Sequence, residues 1–121
     1  MGYLRTTTIG EGSRVTLALQ RGDIEEYCRA RGFELRGWCE DLGSDGKALE
    51  RPGLAAALAA VRDGGAEVVV AMDYSRVSPH LGVVAAFDDL LKAAGGRIEV
   101  VGGSMDELYA GDRPTPERAP E

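Results

Sequence analysis

The sequence predicts an α/β fold, a three-layer sandwich in which a mainly parallel four-stranded sheet is flanked by helices. Three observations lead there. Stretches with a two-residue apolar period alternate along the chain with stretches repeating every three to four residues, the pattern of strands joined by crossover helices. Glu67 to Met72 contains the uninterrupted β-branched run Val68, Val69, Val70, as in a strand buried on both faces. Glycine pairs at 64–65, 95–96 and 102–103 then end successive elements.

Each element has its own grounds. The first strand is short, Gly2 to Thr6. Ile9 to Val15 holds two glycines, a serine and charges of both signs, so a mobile loop is expected there. Thr16 is read as the cap of a helix reaching Arg31, with Leu17, Ile24 and the Tyr27/Cys28 pair on one face. Gly32 stops that helix. Phe33 to Glu40 alternates as a strand, and Asp41 to Glu50 is a polar, glycine-bearing loop. Pro52 suits a first helical turn, where its missing N–H has no partner to lose, and an alanine-rich helix follows over Leu54 to Arg62. After the Glu67–Met72 strand, Pro79 marks the start of a helix over Leu81 to Ala94, and Ile98 to Val101 is the last strand.

At 121 residues the chain is one domain, read as residues 1–103. Residues 104–121 carry three prolines and alternating charges and are expected to form a disordered tail. No apolar run approaches the roughly 20 residues of a membrane-spanning helix, and the first residues carry no signal-peptide pattern, so a cytoplasmic location is expected. Cys28 and Cys39 are read as buried free thiols, with no metal-ligand spacing and no cofactor motif. The 14 basic residues face 20 acidic ones, a net charge of −6. Since phosphate neutralisation supplies most of a DNA binder's affinity, DNA binding by this chain alone is expected to be weak.

Three short stretches carry the chemistry: Tyr3-Leu4-Arg5-Thr6-Thr7, Asp41 through Arg51-Pro52-Gly53-Leu54, and Ser75-Arg76-Val77-Ser78. In this order and at these intervals the chain resembles the catalytic domain of serine recombinases, the resolvase/invertase family. The family pattern is Tyr-x-Arg-x-Ser, an Asp-Glu-Gly-x-Ser-Gly loop leading to Arg-Pro-Gly-Leu, and Asp-Arg-x-Ser-Arg. The resemblance implies a resolvase-like sheet with the first strand central. It also implies site-specific DNA strand exchange, in which a serine hydroxyl attacks a phosphodiester to leave a covalent protein–DNA link. Clustered arginines, rather than a metal, stabilise the charge on phosphorus, as their planar donor forks allow.

Carried over residue by residue, the resemblance places Thr7 at the nucleophile position, with Arg5, Arg51 and Arg76 as its arginines. Tyr3, Gln20, Asp41, Ser75 and Ser78 fall on positions implied to serve phosphate or DNA binding. Three positions depart from the pattern. Thr7 replaces the serine, Ser75 the aspartate before Arg76, and Pro79 the arginine after Ser78. Threonine keeps a hydroxyl, but its methyl crowds in-line attack and its χ1 is restricted. Pro79 removes a donor from a site that works by electrostatic stabilisation, where one donor is worth about 2.7–4 kcal/mol. The family's long interface helix and DNA-reading module have no counterpart in residues 104–121, so target recognition is expected to need another chain.

Structural roles compete for the same residues. Arg51 is equally suited to pair with Glu50 or Asp41, Arg5 to bridge to Asp41 or Asp73, and Arg76 to lie in solvent. His80 reads as a surface residue at a helix start and Trp38 as core or interface. The acidic pairs Glu25-Glu26 and Asp88-Asp89 read as solvated helix faces. The expected function is a serine-recombinase-like domain, catalytically impaired, that acts as a regulatory or protein-interaction module through self-association or another recombinase-like protein. The alternatives are an active DNA-cleaving enzyme using Thr7, and a small phosphate- or nucleotide-binding domain.

Overall fold

In the computed structural model of the chain, the described residues are 1–7 and 11–102, with side chains of 11–13 left aside. The element order is β1 (Gly2–Arg5), α1 (Glu11–Arg31), β2 (Trp38–Asp41), α2 (Pro52–Arg62), β3 (Val68–Ala71), α3 (Tyr74–Val77), α4 (Leu81–Ala93) and β4 (Arg97–Val100). The strands form one sheet in the order β2-β1-β3-β4, and every pairing is parallel. The predicted sandwich is therefore correct, with a sheet that is parallel throughout.

The two-residue period of the strands splits the core into two layers. On β1, Tyr3 faces one side and Leu4 the other; on β3, Val69 and Val70 divide the same way. Leu4 and Val70 meet Ile24 and Cys28 of α1. Tyr3 and Val69 join Leu54 and Leu58 of α2, Val77 of α3, and Phe87 and Leu91 of α4. Both cysteines are buried and free, and burial pushes both thiols above their ordinary pKa.

Several boundaries differ from the sequence reading. Helix α1 starts at Glu11, so the segment read as a loop is partly helical and Thr16 lies inside the helix instead of capping it. Strand β2 covers only Trp38–Asp41, because its partner β1 offers four residues, paired from Gly2↔Trp38 to Arg5↔Asp41. Phe33 and Leu35 pack against the α1-side core from irregular backbone. The short helix α3 was not foreseen; the Asp73 carboxylate caps it by accepting from the Arg76 N–H at 3.0 Å.

The acidic pair on α4 needs the firmest correction. Asp89 is exposed, but Asp88 is fully buried on the inner face of the helix. Its Oδ1 accepts from the Ile98 N–H at 3.3 Å, which ties α4 to the edge strand β4, and its Oδ2 pairs with Lys92 Nζ one turn further along the same helix at 3.0 Å. Glu25 and Glu26 are exposed as read, and His80 is exposed at the N-cap of α4. Trp38 is half-buried under the Arg21 guanidinium, 5.0 Å from the ring centroid. The segment 104–121 lies outside the described residues.

Candidate functional site at the carboxyl end of the first strand

In an open parallel sheet, ligands bind beyond the carboxyl ends of strands where the connections diverge. Here that point lies between β1 and β3: the chain leaves β1 for β2 on one side and later returns to β3 on the other. Arg5 ends β1, and Thr7 follows it, exposed in a bend.

The β1–β2 ladder continues past the strand ends and draws the next loop over this edge. The Thr6 N–H donates to the Asp41 carbonyl at 3.2 Å, and the Ser44 N–H donates to the Thr6 carbonyl at 2.9 Å. Gly46 in this loop has φ +77°, a left-handed conformation that favours glycine. A Cβ there would stand 2.9 Å from Pro79 Cδ, 3.0 Å from Arg51 Nη1 and 3.2 Å from Arg5 Cζ. Arg5, Arg51 and the residue at the third departure thus surround one glycine.

Arg5 is 4% exposed and each of its side-chain nitrogens is engaged by main-chain oxygen. Nε donates to the Arg76 carbonyl at 2.9 Å, Nη1 to the Ser44 carbonyl at 2.6 Å and Nη2 to the Ser75 carbonyl at 2.8 Å. Neither the bridge to Asp41 nor that to Asp73 forms. Burial, then the nearby charges of Arg51 and Arg76, push the Arg5 pKa below its ordinary value, while Tyr3 and Asp45 act the other way. Because Arg5 holds the Arg76 carbonyl and Arg51 the Val77 carbonyl, the three family-position arginines lie at one end of the sheet.

Arg51 sits at the start of α2, 6% exposed, with Nη2 donating to the Tyr3 hydroxyl at 3.1 Å and to the Val77 carbonyl. Its Nε lies 3.5 Å from Asp41 Oδ2, an ion pair by separation. Directionality is not met, and Nε and Nη1 have no hydrogen-bond acceptor among the described residues. Asp41 itself is well held: its Oδ2 accepts from the Tyr3 hydroxyl at 2.5 Å and its Oδ1 from the Gly53 N–H at 2.7 Å. The carboxylate thereby satisfies an orphan donor at the α2 terminus from outside the helix. A Cβ on Gly53 would fall 2.6 Å from Asp41 Oδ2, so only glycine allows this approach. Burial, then the hydrogen bond to Asp41, raises the Tyr3 pKa far above its ordinary value and keeps the phenol protonated.

The remaining predicted residues divide between brace and surface. Gln20 is buried and bridges α1 to β1, donating to the Arg5 carbonyl at 3.2 Å and accepting from the Arg5 N–H at 3.4 Å. Ser78 is buried; its hydroxyl donates to the Gly46 carbonyl at 2.6 Å and accepts from the His80 N–H at 2.9 Å. Ser75 is exposed and its hydroxyl donates at 2.5 Å to Asp73 Oδ1, the oxygen that also accepts from the Arg76 N–H. Arg76 is half-buried, and its guanidinium makes no hydrogen bond or ion pair among the described residues.

Sequence reasoning missed Ser44 and Gly46 as parts of this site and gave Gly53 only as a member of the Arg51-Pro52-Gly53-Leu54 stretch, without its contact to Asp41. Pro52-Gly53 directly after Arg51, with a loop glycine at 46, was the available signal. Among the described residues no group of His, Cys, Asp and Glu suits a metal ion. A separate cavity of about 390 Å³ opens among Cys28, Phe33, Leu35, Val68 and Arg97 and touches none of the site residues.

The fold is that of a serine recombinase catalytic domain. A family model described as Resolvase, N terminal domain, matches residues 1–117, and the chain belongs to that family. Solved structures agree on the fold. The N-terminal catalytic domain of TP901-1 integrase is similar with a TM-score of 0.76 and 17% identity, over 92% of this chain and 88% of that one. The C-terminal catalytic domain of ISC1926 TnpA, an IS607-like serine recombinase, gives 0.72 and 22% over 92% and 74%. A resolvase family site-specific recombinase from Streptococcus pneumoniae gives 0.70 and 18% over 97% and 85%. No curated protein matches the chain.

Proposed function

We propose that this domain is an impaired member of its family, which cleaves DNA poorly or not at all and acts through contact with other protein chains. One observation carries the reading: every nitrogen of Arg5 is held by a carbonyl of the chain itself, so the arginine nearest the nucleophile position braces loops. Three of its five N–H donors are taken in this way, and burial to 4% exposure keeps the other two from reaching a phosphate freely. Pro79 closes on Gly46 at the position where the family brings a further arginine. Thr7 adds the crowding of a β-branched hydroxyl. A lost donor at about 2.7–4 kcal/mol and a further 2 kcal/mol or so for the threonine together slow cleavage about 10,000-fold, at 1.36 kcal/mol per decade.

A second reading, an active enzyme using Thr7, is favoured by the exposure of that residue at the strand end and by the Arg51 nitrogens that have no acceptor. The two readings separate on a denaturing gel. The protein, Thr7→Ser and Thr7→Ala are incubated with supercoiled DNA and scored for a covalent adduct. Impairment predicts no adduct from the wild type. An adduct from the wild type that disappears in Thr7→Ala overturns the proposal and establishes the second reading. An adduct from Thr7→Ser alone assigns the block to the threonine methyl.

A further inference from the structure

We propose that residues 44–46 form a lid over the arginine pocket, closed in the free domain, and that phosphate enters only as this segment swings out on Gly43 and Gly46. The inference rests on the reading of Arg5 as a brace and names how the same site is regulated.

The segment has the build of a lid. Residues 42–50 carry no helix or strand and cross the outside of the site: Leu42, Gly43, Asp45 and Lys47 are exposed, whereas Gly46 is buried. A Cβ on Gly46 would stand 3.0 Å from Arg51 Nη1 and 3.2 Å from Arg5 Cζ, so main chain covers both guanidinium groups. Gly43 at φ +68° and Gly46 at φ +77° bracket the segment in the left-handed region, where glycine turns without strain. Hinges are a few such positions that absorb the backbone change.

Few bonds hold the lid shut. The Ser44 N–H donates to the Thr6 carbonyl at 2.9 Å, Arg5 Nη1 to the Ser44 carbonyl at 2.6 Å, and the Ser78 hydroxyl to the Gly46 carbonyl at 2.6 Å. The Gly43 N–H adds a long contact to Thr6 Oγ1 at 3.4 Å. Two more bonds are internal to the loop, from the Gly46 N–H to Ser44 Oγ at 3.2 Å and from the Lys47 N–H to Asp45 Oδ1 at 2.9 Å. These keep its shape as it moves.

What lies beneath makes opening productive. Arg51 Nε and Nη1 are buried without a hydrogen-bond acceptor among the described residues, which is unfavourable until an acceptor arrives. Arg5 keeps Nε on the Arg76 carbonyl and Nη2 on the Ser75 carbonyl, neither of them in the lid. Its guanidinium therefore stays oriented as Nη1 comes free. In the closed state the Ser44 carbonyl occupies that Nη1, and the Asp45 carboxylate acts on Arg5 as a nearby negative charge. Carbonyl and carboxylate take the part of the phosphate, which must displace them.

Hydrogen exchange followed by NMR tests this on the full chain, with inorganic phosphate as the probe and sodium chloride at equal ionic strength as the reference. An ordinary ligand protects the amides around its pocket. Here phosphate is expected to speed exchange of the Ser44 and Gly46 amides, because the bound and closed states exclude each other. Ser78→Ala removes one lid bond, so both amides are expected to exchange about fivefold faster and phosphate to act at about fivefold lower concentration. Pro79→Ala, which takes the ring off Gly46, serves in the same way should Ser78→Ala not fold. Phosphate that slows these amides or leaves them unchanged in the loosened variant overturns the proposal. So does a loosened variant with the phosphate response of the wild type. The adduct gel reads cleavage and the exchange series reads closure, so failure of the lid is distinguishable from failure of the impairment reading.

Discussion

Replacing Asp41 with alanine tests whether the carboxylate is the keystone of the site. The change deletes the acceptor of the Tyr3 hydroxyl and of the Gly53 N–H and removes the anion nearest to Arg51. All these groups are buried, so water does not replace what is lost. Removing one member of a buried charge pair costs about 3–5 kcal/mol, because the partner stays buried and unpaired. Against a typical domain stability of about 5–15 kcal/mol this is a large fraction. At about 4 °C per kcal/mol for a chain of this length, the melting temperature falls by about 12–20 °C. Asp41→Asn retains an oxygen for the Gly53 N–H and loses the charge, so its loss is smaller. Asp41→Ala combined with Tyr3→Phe is less than additive by about 1 kcal/mol, because the two remove one shared bond. Urea unfolding followed by circular dichroism measures each value. A loss below about 1 kcal/mol for Asp41→Ala would show that Arg51 and the α2 terminus are held by something else.

Two further perturbations probe other parts of the fold. Gly46→Ala places a methyl against Pro79, Arg51 and Arg5 in a left-handed conformation, and is expected to cost about 1–2 kcal/mol from the backbone alone. A melting temperature equal to that of the wild type would refute the close approach. Glu99 gives a pH signature. Burial by itself would raise its pKa, but hydrogen bonds from Tyr27 and Arg97 and the charges of Arg31 and Arg97 outweigh burial and lower it from 4.5. A carboxyl depressed in the folded chain adds stability above its unfolded pKa, which is lost as pH falls through the folded value. Glu99→Gln should therefore shrink the fall in melting temperature between pH 7 and pH 3, and an unchanged fall would contradict that assignment.

The family relationship was legible in the sequence because it rests on short motifs whose residue types are dictated locally: an arginine at a strand end, proline and glycine at a helix start, a serine before the next helix. Layering was legible too, since Tyr3 against Leu4 and Val69 against Val70 follow from a two-residue period alone. Asp88 was not. Its neighbour Asp89 is chemically identical, and only the packing of α4 against β4 decides which of the two is buried and bonded to Ile98.

For the site, the residue types alone determined which arginines gather and left open what they hold. Charge attraction made Asp41 a natural partner for Arg5, yet the folded chain gives that carboxylate to Tyr3, Gly53 and Arg51 and leaves Arg5 to three carbonyls. Those carbonyls belong to Ser44, Ser75 and Arg76, about 40 and 70 residues downstream, and main-chain oxygens leave no mark on residue identity. Strand register and the left-handed turn at Gly46 bring them to the guanidinium, and those are properties of the assembled sheet.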